Sequence, residues 1–190
     1  MAKEAKIGNG GLGNPWRVVG WGAATALLLL PLGAMQLTEE VDWTRSDFVA
    51  MGLMLGSVGL AFEFLLKKSN GLHYRIAAAI ELAASFFLVW ASLAVGIVGT
   101  EGNPGNLMFA VVILIALAGS IAANFRADGM ARTAITAAVA QSSAGLLALT
   151  TGMGSSDPSW PYDILGTTLF VTGLWLVAAW LFSKAAHSNT

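Results

Sequence analysis

The sequence contains no cysteine, which excludes disulfide frameworks, thiolate metal sites and cysteine nucleophiles together. Charge is also scarce. Asp, Glu, Lys and Arg make up 11% of the 190 residues, against about 25% in soluble domains, so the balance argues against water as the solvent. The formal net charge is −1, and no bulk field recruits nucleic acid or an anionic partner. The two histidines, His73 and His187, fall outside the apolar runs, so a bis-histidyl haem in a bilayer has no ligands. No pattern for phosphate binding, a nucleophilic triad or zinc hydrolysis occurs. The Gly8 to Gly13 cluster follows no strand and is no dinucleotide fingerprint. No catalytic residue, metal site or cofactor is expected, and the chain is not read as an enzyme.

Apolar residues are what the sequence has, at 56%. A bilayer-spanning helix needs about 20 of them in succession. Six runs qualify: Trp16 to Leu37, Phe48 to Leu66, Ile76 to Val98, Leu107 to Ala123, Ala134 to Leu149 and Ile164 to Phe182. The fifth is short and rich in Ala, Ser and Thr, so it reads as an inward-facing or re-entrant helix. Lys67 to Gly71, Gly102 to Asn106 and Gly154 to Pro158 supply charged or turn-forming stops. Thr44-Arg45-Ser46-Asp47 reads as a capped helix start. The expectation is an all-α integral membrane protein. Residues 1–190 form one transmembrane domain, a six-helix bundle with short loops and a flexible leader over 1–15.

Charge sidedness orients that bundle. Lys3, Lys6, Arg17, Lys67, Lys68, Arg75, Arg126, Arg132 and Lys184 fall on one face, and Arg45 alone on the other. The opposite face carries Glu39, Glu40, Asp42, Asp47, Glu101, Asp157 and Asp163. Basic loops stay in the cytoplasm, so both termini are expected there. Trp16, Trp43, Trp160 and Trp180 fall near the interfaces, as an aromatic belt requires. The amino end also resembles a secretory signal peptide. Leu32, three before a cleavage bond at Ala34, is a poor residue there, so an uncleaved first helix is expected.

Two carboxylates interrupt the runs, Glu63 and Glu81. Glu63 lies four residues from Lys67 and Glu81 six from Arg75, which places both near the cytoplasmic boundary. Gly52, Gly56, Gly59 and Glu63 share one helical stripe, and Glu81 shares its face with Ala77, Ala78, Ala84 and Ser85. Small residues let backbones approach, so both acids are expected in helix contacts, with the glycines as packing sites. The bland reading pairs Glu63 with Lys67, and Glu81 with Arg75, Arg126 or a backbone group. The sharper one joins the two acids across the second and third helices, where one would hold a proton or a cation. A metal held by Glu63, His73 and Glu81 meets the requirements of ligand softness and number only loosely. Asn124, Gln141, Ser142 and Ser143 read as interhelical hydrogen-bond groups. Glu39, Glu40 and Asp42 lack the oxygen spacing of a calcium loop. Gly13-Asn14-Pro15 and Gly102-Asn103-Pro104 would fit an inverted repeat, but three residues are a chance match.

Val41 to Phe48 before an apolar helix, and Leu93 to Asn106, resemble a group of uncharacterised bacterial multi-spanning membrane proteins. The resemblance covers roughly residues 41–106. It implies a bacterial inner membrane and a helical bundle, and it implies no activity. The functional expectation is a small structural or accessory membrane component, a subunit lodged beside a larger complex. The alternative is a small proton- or cation-coupled transporter using Glu63 and Glu81. The expected partners are the lipid bilayer and other membrane subunits, or a second copy through small-residue faces.

Overall fold

The computed structural model describes residues 15–188 apart from Asn70, without the side chains of residues 15, 16, 17 and 19. The leader expected over 1–15, with Lys3 and Lys6, lies outside the described residues apart from Pro15, as does the Arg17 side chain. The described residues form six α-helices and no strand: α1 (Pro15–Ala34), α2 (Arg45–Leu66), α3 (Leu72–Ala94), α4 (Leu107–Ala122), α5 (Ala127–Thr150) and α6 (Tyr162–His187). A 3-10 turn, Pro104–Asn106, leads into α4. Five of the helices are long and apolar enough to cross a membrane, counting that turn with α4. The apolar part of α1, Gly20–Ala34, is shorter.

Several boundaries move for physical reasons. The first run stops at Ala34, and Met35 to Leu37 form a turn. α2 begins after Thr44 with the carboxylate half of a capping box. The Thr44 N–H and Oγ1 both donate to Asp47 Oδ2, each at 2.7 Å. α3 begins at Leu72, before Arg75, and ends at Ala94, short of Val98. Glu81 lies nine residues, about 14 Å, from the first residue of α3, with Arg75 between them. α5 extends seven residues further toward its amino end than the apolar run. Asp128 and Arg132 point outward there while Met130, Ala131, Thr133 and Ala134 are buried, so a charged stripe is compatible with a core-facing helix.

The chain divides into two compact units, Met1–Gly59 and Leu60–Thr190. In the first, a side chain added at Gly59 would meet the Trp21 indole at 2.8 Å, and one at Gly52 would meet Leu28 at 3.7 Å. Gly56 has nothing within 4 Å. The expected glycine stripe therefore narrows to Gly59, with Gly52 in ordinary contact.

In the second unit α3 packs on α4 and α6, and α5 packs on α4 and α6, which closes an antiparallel four-helix ring. Its interior combines large and small residues. Tyr74, Phe109, Trp175 and Phe182 are buried together with Ala77, Ala78, Ala84, Ala134, Ala137 and Ala178, while Leu114, Leu117, Val139, Leu146, Leu169 and Phe170 point outward. The alanines allow close backbone approach inside, and the outward apolar side chains suit lipid. At Gly145 an added Cβ would collide with Thr168 of α6, and at Gly119 it would lie 2.7 Å from Thr133 of α5.

The apolar residues Ile97 and Val98 leave α3 and are buried in a loop. Asn106 holds that loop. Its Oδ1 accepts the N–H groups of Ile97 and Val98, each at 2.9 Å, and its Nδ2 donates to Thr100 O at 2.9 Å. The chain can turn there because Gly96 takes φ +83, where a Cβ would collide with the Thr100 backbone. In the α5–α6 loop, Asp157 accepts from the Ser159 hydroxyl and N–H at 2.6 and 2.9 Å. Those bonds hold its carboxyl below the usual carboxylate range, the side-chain bond foremost.

Candidate functional site: a buried carboxyl in the four-helix ring

Glu81 reaches the interior because its face of α3 is otherwise Ala77, Ala78 and Ala84, which bring the neighbouring helices close. The residue is 5% exposed. Its Oε1 lies 3.4 Å from Ser120 Oγ of α4, and its Oε2 has no hydrogen-bond partner. The Ser120 hydroxyl is also 2.7 Å from the Ala116 carbonyl, and its single proton serves one acceptor at a time. Among the described residues no lysine or arginine forms an ion pair with Glu81, and Arg126 bridges Asp128 at 3.6 Å instead. The ionic partners expected from the sequence are thus replaced by one neutral hydroxyl. Glu63 is half-buried near the carboxyl end of α2. The hydrogen bond of Glu81 runs to α4, not to Glu63.

Glu81 shares its depth with other polar groups. Tyr74 stacks with Phe182 and Phe87 with Phe170, which sets α3 antiparallel to α6 and puts Glu81 level with Trp175. The Ser142–Thr172 contact at 3.2 Å and the Gly145–Thr168 approach set α5 against α6, and put Gln141 between Thr168 and Trp175. From Thr168 to Trp175 is a stretch of about 10 Å along α6. Within it fall buried polar atoms without partners: Thr168 Oγ1, both amide atoms of Gln141, Trp175 Nε1 and Glu81 Oε2. Gln141 and Trp175 are both 0% exposed. Buried polar groups in folded proteins are nearly always satisfied by protein or ordered water, so this row of unpartnered groups stands out.

The other sequence candidates separate. Ser142 does bond across helices, whereas Ser143 returns to Val139 O of its own helix. Asn124 is exposed in the α4–α5 turn. His73 is exposed, and among the described residues no three His, Asp or Glu side chains converge on one point. The Glu63–His73–Glu81 metal set is therefore not assembled.

Ser120 and Trp175 were not legible as site residues, because their roles depend on the register between helices. Asn106 had only a turn context to mark it. No family model, curated protein or solved structure matches this chain.

Proposed function

We propose that this chain is a small six-span protein of a bacterial inner membrane whose α3–α6 ring carries protons on Glu81, as a proton-coupled transporter. One observation carries the reading: Glu81 is buried with one oxygen against a neutral hydroxyl and the other without a partner. A charged group at bilayer depth costs at least ~2.5–3.5 kcal/mol, so ionisable residues there are retained for a purpose. A packing role does not need a carboxyl at this position. Water along the Thr168–Gln141–Trp175 stretch would satisfy those groups and connect Glu81 toward the acidic end of the bundle. Glu81 stands in this role without Glu63. The test is proton influx into vesicles, set out in the Discussion.

Both termini lie in the cytoplasm in this proposal, on the positive-inside rule. Lys67, Lys68, Arg126 and Lys184 gather at one end of the helices, and Glu101, Asp157 and Asp163 at the other. Single cysteines in this cysteine-free chain check it. Those at Ser69 and Asp128 are expected to react with an impermeant thiol reagent only from the cytoplasmic side. Those at Gly102 and Ser156 are expected to react only from outside. Labelling of Ser69→Cys from outside would reverse the assignment.

A second reading, an accessory subunit of a larger complex, is favoured by the first unit. Leu27, Leu29, Leu30, Val49 and Leu53 are exposed there, and either lipid or another subunit's helices would cover them. A stoichiometric partner that co-migrates after gentle extraction supports this reading. Migration as the free chain removes it.

A further inference from the structure

The α4–α5 turn stands over the Glu81 site and is pinned to the helix that carries it. Ser120 lies two residues before the end of α4, and its carbonyl accepts the Phe125 N–H at 3.1 Å. Asn124 and Phe125 take φ +51 and +59, a left-handed conformation that a bulky aromatic residue rarely adopts. Three contacts hold Phe125 in it. The Tyr74 hydroxyl donates to the Phe125 carbonyl at 2.7 Å, and Tyr74 is two turns from Glu81 on the same face of α3. The Phe125 ring meets Phe64 edge-on with centroids 5.0 Å apart. Lys68 Nζ sits 4.9 Å from the Phe64 ring and 5.5 Å from the Phe125 ring.

We propose that Glu81 exchanges a proton with the side of the membrane that carries the α4–α5 turn, and that the Phe125 side chain closes that route. This rests on the transporter reading above and adds the side from which the proton reaches Glu81. A hard metal cation takes six or more oxygen ligands. Among the described side chains, the one hydrogen-bond partner of the Glu81 carboxyl is the Ser120 hydroxyl, shared with the Ala116 carbonyl. A proton needs one oxygen. It arrives on a hydronium at the turn, bonds to a carboxylate oxygen of Glu81 and leaves water behind. It departs by transfer back to a water. Besides Tyr74, the titratable and charged groups at this end are Glu63, Lys67 and Lys68 of α2 and the turn after it, His73 and Arg75 of α3, Arg126, Asp128 and Arg132 of α5 and the turn before it, and Lys184 and His187 of α6. Lys68 sits over the rings and Arg126 bridges Asp128, and among the described residues no lysine or arginine forms an ion pair with Glu81.

The test uses Ser120→Cys as reporter in the full reconstituted chain. A cationic methanethiosulfonate is applied from the turn side. Phe125→Gly removes the ring and keeps the turn, because glycine adopts positive φ without strain. The proposal expects modification roughly tenfold faster with Phe125→Gly, as when a barrier falls by about 1.4 kcal/mol. Phe125→Leu, which keeps bulk, is expected to react at the slow parental rate. Equal rates in all three chains overturn the closure, and so does a Leu variant as fast as the Gly variant. Thermal melts confirm that each variant is folded. The labelling needs no gradient, so it separates from the transporter reading. Proton influx without accelerated labelling overturns the closure alone. Accelerated labelling, with no influx by the wild-type chain, supports the closure and overturns proton carriage.

Discussion

Glu81→Gln is expected to leave the four-helix ring folded and to reduce proton influx into reconstituted vesicles to that of protein-free vesicles. The amide keeps the volume of the carboxyl and a hydrogen-bonding atom for Ser120, but it cannot bind and release a proton at any accessible pH. No ionic partner is stranded by the change, since Ser120 is neutral. Stability should therefore change little. A salt-bridged carboxylate would behave otherwise, because removing one member of a buried pair leaves the other uncompensated at a cost of about 3–5 kcal/mol. The measurement is an internal pH dye under an imposed potential, paired with a thermal melt in detergent. Wild-type vesicles without influx would remove the transporter and return the account to the scaffold. A large stability loss in Glu81→Gln would show that the carboxyl holds a partner as an ion.

Gly145→Val is expected to destabilise the bundle more than valine at either glycine of α6. A Cβ at Gly145 collides with the Thr168 side chain, so α5 and α6 would have to separate along their shared seam. Overpacking of this kind costs about 1–3 kcal/mol. Gly166→Val and Gly173→Val are the controls. Nothing lies within 4 Å of either position, and valine is no worse than glycine in a helix. A detergent melt of the three variants decides it. Equal midpoints would mean that the α5–α6 seam is looser than the Gly145–Thr168 approach requires.

Much of the architecture was legible because apolar run length is a direct consequence of bilayer thickness. The failures are local and have causes. α5 was read as short because its apolar run was counted from Ala134, after Arg132, whereas a helix with one buried face tolerates charge on the other. Ile97 and Val98 were read as helix because hydropathy does not distinguish a buried loop from a span. Only the fold shows Asn106 taking their N–H groups. Burial of Glu81 followed from its alanine-lined face. Its partner did not, since Ser120 is opposed to it through the α3–α4 register, which no local pattern encodes. The small-residue rule pointed to Gly52, Gly56 and Gly59. Of these only Gly59 is a tight approach, and the others between helices lie at Gly119 and Gly145. Composition gives the capacity for close approach and not the partner. The left-handed Phe125 had no signal in the sequence, because it is imposed by tertiary contacts to Tyr74 and Phe64.

The central claim is that the Glu81 carboxyl binds and releases a proton inside the bundle. Infrared difference spectroscopy of the reconstituted protein, cycled between acidic and alkaline buffer, tests it most directly. The account predicts a carboxylic acid C=O band that appears and disappears with the cycle, shifts in deuterated water and is absent from Glu81→Gln. A wild-type difference spectrum identical to that of Glu81→Gln would contradict it.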